Sequence, residues 1–83
     1  VEVLETPGHT PGSVCFYIKG FLFTGDTLFK NSIGRYDMDG GDREQLIDSI
    51  RSKLFTLPSE TVIMPGHGPK STIETEINQN PFF

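Results

Sequence analysis

The sequence predicts an α/β fold, and three observations lead to that prediction. Short apolar runs bounded by glycine and proline are typical of strands and recur along the chain. Apolar residues recur at helical spacing after residue 42, and a shorter helical segment follows the last apolar run. Because strands and helices alternate over only 83 residues, we expect them to form one α/β unit.

Length, charge and cysteine content limit the function. The chain opens at Val1 in a strand-like run and looks like part of a longer protein. A net charge of -4 without a basic run argues against a nucleic-acid partner. No apolar segment has membrane length, so we expect no membrane partner and a cytoplasmic location. The one cysteine, Cys15, cannot form an internal disulfide and is expected to be a buried, inert thiol.

The first half of the chain predicts three strands. Residues 1–5 form the first strand, and a stiff loop with two Pro-Gly pairs follows. Residues 13–18 form the second strand, in which Val14, Phe16 and Ile18 share one face. Lys19 and Gly20 suit a two-residue hairpin turn, from which residues 21–24 return antiparallel.

The middle of the chain predicts a loop and then a helix. Residues 27–41 carry several glycines and mixed charges, and irregular loops of this length are more often functional than accidental. Asp42 is expected to cap the helix, with Gln45 as its capping-box partner, and Pro58 closes the element. One stripe of this helix should face the core, formed by Leu46, Ile47, Ile50, Leu54 and Phe55.

The last quarter predicts one more strand and one more helix. Residues 61–64 form an apolar strand. Residues 71–74 form a second capping box, which starts a short helix with Ile73 and Ile77 one turn apart. The chain ends on Phe82 and Phe83, which we expect to pack back against the sheet.

Three strands run into a glycine-bearing turn that presents a metal-capable side chain. These side chains are His9, Asp26 and His67, and the two histidines are the only ones in the chain. Ligands in open α/β sheets collect beyond the ends of the strands, so the three could converge. Imidazole suits zinc, copper, iron or nickel, and a carboxylate can bridge two ions.

Each of these positions also has an ordinary interpretation. A histidine in a Pro-Gly loop is usually a surface residue, and an aspartate after glycine usually forms a turn. For any one position alone the ordinary interpretation is favoured, whereas the three together favour a site. Three protein ligands make only one open metal site, and two bound metals need more.

Several ordered motifs closely resemble the C-terminal half of metallo-β-lactamase-fold hydrolases, above all the glyoxalase II-like (hydroxyacylglutathione hydrolase-like) members. The resemblance covers essentially the whole chain. The motifs that carry it are Thr6–Ser13, Phe23–Phe29, Gly34–Arg35, Gly40–Asp42, Pro65–Pro69 and Asn80–Phe82.

The resemblance implies a fold and a set of site residues. The fold is one half of an αββα sandwich, with a mixed sheet and two helices over residues 1–83. His9 matches the third histidine of the first metal site, Asp26 the bridging aspartate, which is also catalytic, and His67 the last histidine of the second site. Arg35 and Tyr36 match substrate-side positions, although Arg35 could equally form a salt bridge with an acidic neighbour and Tyr36 could pack as an aromatic.

The family's other ligands come from a His-x-His-x-Asp-His motif in the N-terminal half, which this chain lacks. The expected partner is therefore that missing half, and the chain alone should be inactive. Its apolar sheet face, expected among Val14, Phe16, Ile18, Leu22 and Val62, should promote self-association when it is exposed.

The function implied is hydrolysis of a thioester such as a hydroxyacylglutathione by a hydroxide that bridges two zinc ions, with iron or manganese as alternatives. Two other interpretations remain open. One is a mononuclear iron enzyme resembling persulfide dioxygenases, and the other is a structural half-domain without activity of its own.

Overall fold

The computed structural model describes all 83 residues, and it forms a mixed sheet with helices packed on one face. The elements, in chain order, are β1 (Glu2–Glu5), β2 (Val14–Ile18), β3 (Phe21–Gly25), β4 (Leu28–Phe29), β5 (Ser32–Ile33), α1 (Arg43–Ser49), which continues as a π-helical stretch (Ile50–Leu54), β6 (Val62–Pro65), β7 (Ser71–Thr72) and α2 (Ile73–Gln79). The predicted α/β class is confirmed.

The main sheet has five strands in the order β1-β2-β3-β6-β7. The β1–β2, β2–β3 and β6–β7 pairs are antiparallel, whereas β3 and β6 run parallel. The predicted hairpin is confirmed, because Lys19 and Gly20 take the positive φ angles of 48° and 83° that a primed turn requires. The parallel pairing brings the carboxyl ends of β3 and β6 to the same edge of the sheet.

The hydrophobic core lies between the sheet and the helices. Its residues are buried almost completely: Cys15, Leu22, Leu28, Ile33, Leu46, Ile50, Leu54, Ile63 and Ile73. The predicted helical stripe is therefore confirmed for its three fully buried leucine and isoleucine positions, while Ile47 and Phe55 pack at the edge of the core. The buried Cys15 thiol matches the prediction as well.

The other sheet face carries apolar side chains exposed to solvent. Phe16 is paired with Val3 on one side and with Phe23 on the other, and Phe23 is paired with Met64. These residues form a continuous apolar row across four strands. The placement of Leu22 on this face was wrong, because Leu22 is fully buried, and its neighbours Phe21 and Phe23 are exposed instead.

The N-terminus of α1 has one of the two hydrogen bonds of a capping box. The Asp42 carboxylate accepts a hydrogen bond from the Gln45 N–H over 3.0 Å, as predicted. The reciprocal contact from the Gln45 side chain is absent, because the Asp42 N–H donates instead to the carbonyl oxygen of Gly8 over 2.8 Å. The helix end is therefore tied to the loop that carries His9.

The segment after β3 contains more regular structure than predicted. Residues 28–33 form a small hairpin, β4–β5, whose turn at Lys30 and Asn31 places Asn31 at a φ of 62°. Asparagine tolerates this left-handed conformation better than most residues, so the short hairpin can close. The prediction of an irregular loop was wrong for these residues.

The second capping box is displaced by one residue. Ser71 pairs in β7, and Thr72 caps α2 by accepting a hydrogen bond from the Thr75 N–H over 3.2 Å. Of the two isoleucines one turn apart, Ile73 is fully buried, whereas Ile77 is 44% exposed. The residue that turns inward is Glu76, which is fully buried.

The C-terminal aromatics pack inward, but against the helical segment that contains Arg51 and Phe55 rather than, as was expected, against the sheet. The rings of Phe55 and Phe83 meet edge to face with centroids 4.7 Å apart, and Arg51 lies over the Phe83 ring. Phe82 also packs against the core. No helix combines the length and the apolar character needed to cross a membrane.

Candidate metal centre

The three predicted ligands converge at the edge where β3 and β6 end. Oδ1 of Asp26 lies 3.2 Å from Nδ1 of His67, and Oδ2 of Asp26 lies 3.9 Å from Nε2 of His9. The two oxygens of one carboxylate thus face two different imidazoles. The aspartate side chain is 48% exposed, so this edge of the sheet opens to solvent.

A tight backbone contact joins the loops that carry Asp26 and His67. The N–H of Gly66 donates to the carbonyl oxygen of Gly25 over 2.8 Å. A Cβ at Gly66 would lie 3.0 Å from that oxygen and 3.4 Å from Oδ1 of Asp26. Gly25 itself has a φ of 51°, which lets the chain turn sharply at the end of β3 and present the carboxylate.

The loop that carries His9 is held by α1. The hydroxyl of Ser49 donates to the carbonyl oxygen of Pro7 over 2.8 Å. Gly8, at a φ of 141°, lies against the backbone of Leu46, where a side chain would overlap the helix. Helix α1 therefore sets the position of His9 relative to the sheet.

The orientation of the His9 ring is fixed by a backbone carbonyl. Nδ1 of His9 lies 2.8 Å from the carbonyl oxygen of Arg35. A carbonyl oxygen can only accept, so Nδ1 carries the hydrogen and the neutral ring keeps its lone pair on Nε2. That nitrogen faces Asp26, which is the arrangement typical of a metal-ligating histidine.

The environments of the two histidines differ. The His9 side chain is only 18% exposed, whereas that of His67 is 76% exposed. The His67 ring stacks on Phe29 of β4 with centroids 5.9 Å apart and ring planes inclined by 29°. His67 thus depends on the β4–β5 hairpin for packing.

Buried threonine hydroxyls lie beneath the loops that carry His9 and Asp26. Thr24 donates to the carbonyl oxygen of Leu28 over 2.7 Å. The hydroxyl of Thr6 lies within hydrogen-bond distance of Thr27 and of the Cys15 thiol. Burial raises the pKa of Cys15, and hydrogen bonds from Thr6 and Thr27 oppose that shift. A thiol that stays protonated is a poor nucleophile, so Cys15 serves packing rather than covalent catalysis.

The two predicted substrate residues occupy different positions. Arg35 borders the same cleft as the three ligands, together with Phe29 and Met38. Tyr36 borders a neighbouring depression and packs against the core. The Arg35 guanidinium pairs with Asp37 through contacts of 3.2 and 3.4 Å. The hydrogen bond from Arg35 is the main cause that lowers the pKa of Asp37.

The donor types at this edge fit a metal ion, but the number of ligands does not complete a site. Two imidazoles and one carboxylate suit zinc and iron. However, no group of three or more histidine, cysteine, aspartate or glutamate side chains is arranged so that it could hold an ion by itself. These three donors could therefore form at most part of a ligand set.

The fold and these three converging side chains point to a class of protein. The family model described as the metallo-beta-lactamase superfamily matches residues 1–67, and the chain belongs to that superfamily. Members of the superfamily bind metal ions. The matched segment includes all three converging side chains.

Two curated relatives show how the chain resembles named proteins. It is 50% identical over 84 residues to "Probable metallo-hydrolase YqgX" of Bacillus subtilis, covering 99% of this chain and 40% of that protein. It is 49% identical over 83 residues to "Hydroxyacylglutathione hydrolase GloC" of Haemophilus influenzae, covering 98% of this chain and 39% of that protein. The chain therefore spans about 40% of the length of these relatives.

Solved structures agree with this assignment. The BLEG-1 B3 metallo-beta-lactamase superposes with a TM-score of 0.94 at 49% identity, over 98% of this chain and 40% of that chain. TTHA1623 in a di-iron-bound form gives a TM-score of 0.94 at 46% identity, over 99% of this chain and 42% of that chain. The predicted metallo-β-lactamase fold is confirmed.

Three residues that support the site were not predicted from the sequence. Ser49 holds the loop before His9, Phe29 stacks on His67, and buried Glu76 connects three segments. Helical spacing could have indicated the burial of Glu76, because this residue lies three positions after the buried Ile73 and on the same side of α2.

Proposed function

We propose that the protein containing this chain is a metal-dependent hydrolase that cleaves a thioester such as a hydroxyacylglutathione. The observation that carries the proposal is the position of the Asp26 carboxylate, with one oxygen toward His67 and the other toward His9. Such an arrangement suits a carboxylate that holds two cations side by side. The 49% identity to a relative named hydroxyacylglutathione hydrolase supports the choice of substrate class.

Each residue has a distinct role in this proposal. His9 offers Nε2 as a ligand because its Nδ1 is engaged by the Arg35 carbonyl. His67 offers a ring nitrogen from the other side of Asp26, and Asp26 also helps to orient the attacking water. Metal ions bound there, zinc in the first instance and iron or manganese as alternatives, would activate that water at neutral pH and polarise the thioester carbonyl.

The substrate would enter through the open cleft beside the ligands. Arg35 borders this cleft and is 70% exposed, so its guanidinium can exchange Asp37 for an anionic group of the substrate. Met38 and Phe29 provide apolar wall on either side. Tyr36 borders the neighbouring depression, and we propose that it contacts the substrate there.

The apolar outer face of the sheet is proposed to pack against the remainder of the domain. Phe16, Phe21 and Phe23 are each more than 40% exposed there, and aromatic groups rarely stay uncovered in such a row. The relatives are about two and a half times as long as this chain, which leaves ample sequence to cover the face and to supply the remaining metal ligands. We propose that the complete protein acts in the cytoplasm.

The test uses the protein encoded by the full open reading frame that contains these 83 residues. S-lactoylglutathione is the substrate, thiol release is the readout, and elemental analysis identifies the bound metal. Asp26→Asn should reduce kcat/KM by at least about a hundredfold, because it removes a ligand charge from the reacting centre. Asp39→Asn, which changes an exposed carboxylate in the neighbouring loop, is the matched control and should leave the rate unchanged.

The outcomes separate the possible functions. Tight metal binding with thioester cleavage that depends on Asp26 supports the proposal. Metal binding without any thioester cleavage would remove the substrate assignment, and iron as the only active metal would favour an iron enzyme. The 83-residue chain alone should bind metal weakly, since its side chains form no complete group.

A further inference from the structure

Glu76 is a fully buried carboxylate in a helix that otherwise contributes one apolar residue, Ile73, to the core. Burial of a charge is costly unless it is paired or hydrogen-bonded. The partners of Glu76 are all neutral donors, and no arginine, lysine or histidine pairs with it. A glutamate at such a position calls for a role that an apolar residue could not fill.

Both carboxylate oxygens of Glu76 accept hydrogen bonds from distant segments. Oε1 accepts from the backbone N–H of Asn31 over 2.8 Å and from the Asn80 side chain over 3.0 Å. Oε2 accepts from the hydroxyl of Ser71. The Asn80 amide also donates to the carbonyl oxygen of Ser32 over 3.0 Å. One side chain thus joins α2, the β4–β5 turn and β7.

Two of these segments lead directly to the candidate metal centre. The β4–β5 hairpin carries Phe29, whose ring stacks on His67. Ser71 is the first residue of β7 and follows directly on the loop that carries His67, residues 66–70. Glu76 therefore holds the hairpin and the His67 loop against each other, with Phe29 and His67 meeting where they touch.

The core contacts of Leu28 and Ile33 hold the strands of the hairpin, but they do not fix its turn. Its strands have two residues each, paired as Leu28 with Ile33 and Phe29 with Ser32. Isolated two-stranded hairpins are marginally stable in water. The bonds from Glu76 and Asn80 fix the turn at consecutive residues, Asn31 and Ser32, which the core contacts do not reach.

We infer that Glu76 is a positioning residue, which sets the place of the His67 imidazole relative to Asp26 by clamping the β4–β5 hairpin to the His67 loop. It acts through Ser71 on one side and through Asn31 and Phe29 on the other. The inference rests on the proposed metal site, because that site gives the position of His67 its importance.

The experiment compares Glu76→Gln and Ser71→Ala with Glu74→Gln. Glutamine retains the size of glutamate but replaces one accepting oxygen with a donor, so it weakens the clamp. Ser71→Ala removes only the link to the His67 loop and keeps the buried carboxylate bonded on its other side. Glu74 is an exposed glutamate of the same helix, so Glu74→Gln is a control with the same change of charge.

Two readouts distinguish positioning from general stability. The first is the NMR cross-peak between the Phe29 and His67 rings in the full-length protein without metal, with the packing of Leu22 on Ile63 as an internal reference. The second is the zinc affinity of the full-length protein by competition with a chelator. Substitutions behind metal ligands typically weaken binding by about ten- to a hundredfold.

We expect both Glu76→Gln and Ser71→Ala to weaken the ring–ring cross-peak and the zinc affinity, while Glu74→Gln changes neither. The inference is overturned if the two variants lose thermal stability but keep the cross-peak and the affinity of the parent protein. If Glu76→Gln fails to fold, Ser71→Ala decides alone. Absence of thioester hydrolysis in every variant would contradict the proposed function and leave both readouts intact.

Discussion

Gly34 lies directly against the backbone carbonyl of Asp26, and its N–H donates to the carbonyl oxygen of Thr27 over 3.0 Å. A Cβ placed on Gly34 would overlap the Asp26 carbonyl oxygen and would come within 3.5 Å of the His9 side chain. The loop that follows the β4–β5 hairpin is thus seated on the carboxylate-bearing turn. Only a glycine at position 34 allows the loop to come this close to the Asp26 carbonyl.

Gly34→Ala should therefore displace the Asp26 turn and destabilise the fold by about 1–3 kcal/mol, the usual effect of overpacking. Urea unfolding followed by circular dichroism measures the change. Gly12→Ala is the control, because no atom lies within 4 Å of a Cβ there, and it should change stability by less than about 1 kcal/mol. Equal stability of the two variants would show that the loop does not rest on Asp26.

A second prediction concerns the support of His9 by α1. Ser49→Ala removes the only side-chain donor to the Pro7 carbonyl in a largely buried position, so it should cost about 1–2 kcal/mol and shift the NMR signals of the His9 ring. Ser52→Ala removes a bond to the carbonyl oxygen of Asp48 on the exposed side of the same helical segment. That change should stay within about 0.5 kcal/mol. If both variants leave the His9 signals unmoved, the helix does not position this loop.

The convergence of the ligands could be predicted from sequence because it follows from strand order and turn chemistry. Each of the three side chains stands after an apolar run and beside glycine, and parallel pairing of β3 with β6 brings the strand ends together. Sequence gave no comparable signal for the face of Leu22. In a run that is apolar throughout, such as residues 21–23, alternation cannot tell the core side from the outer side.

The supporting residues escaped prediction for a different reason. A glutamate in a short helix is expected to face solvent, and the burial of Glu76 depends on donors from residues 31 and 80, far away in sequence. The α2 cap moved by one residue because pairing of Ser71 in β7 competes with its use as a cap. In both cases the outcome depended on a tertiary contact that the local sequence does not reveal.

A third prediction concerns the Cys15 thiol and pH. Burial raises its pKa in the folded state above the ordinary value of 9.0. The unfolded chain therefore loses the thiol proton first as pH rises, and the free energy of unfolding should fall above about pH 9 and continue to fall until the folded thiol also ionises. Below that range the contribution is fully present.

Urea unfolding of the parent chain and of Cys15→Ala between about pH 8 and pH 10 isolates the thiol, since other groups titrate alike in both. The parent chain should lose more stability than the variant over this range. A thiol reagent should react with the folded parent far more slowly than with the unfolded chain. Parallel stability curves together with rapid labelling would contradict the prediction.

The last prediction concerns the apolar row of Val3, Phe16, Phe23 and Met64, of which the first three are exposed and Met64 is half-buried. In the 83-residue chain this row lies open on the sheet, and burial of its aromatic rings against a second copy would remove apolar surface from water at about 25 cal/mol per Å². The chain should therefore self-associate in a concentration-dependent manner, and light scattering after size exclusion measures this. The double variant Phe16→Thr with Phe23→Thr should shift the assembly toward monomer, because threonine keeps a strand-compatible shape without the rings.

Ile77→Thr is the matched control: Ile77 is 44% exposed, nearly the same as the 43% of Phe16 and of Phe23, but it stands on α2 outside the row. If contiguity of the row drives association, the control should behave like the parent chain. If Ile77→Thr disperses the assembly as well as the double variant does, or if the parent chain is a monomer at all concentrations, the row is not the surface responsible.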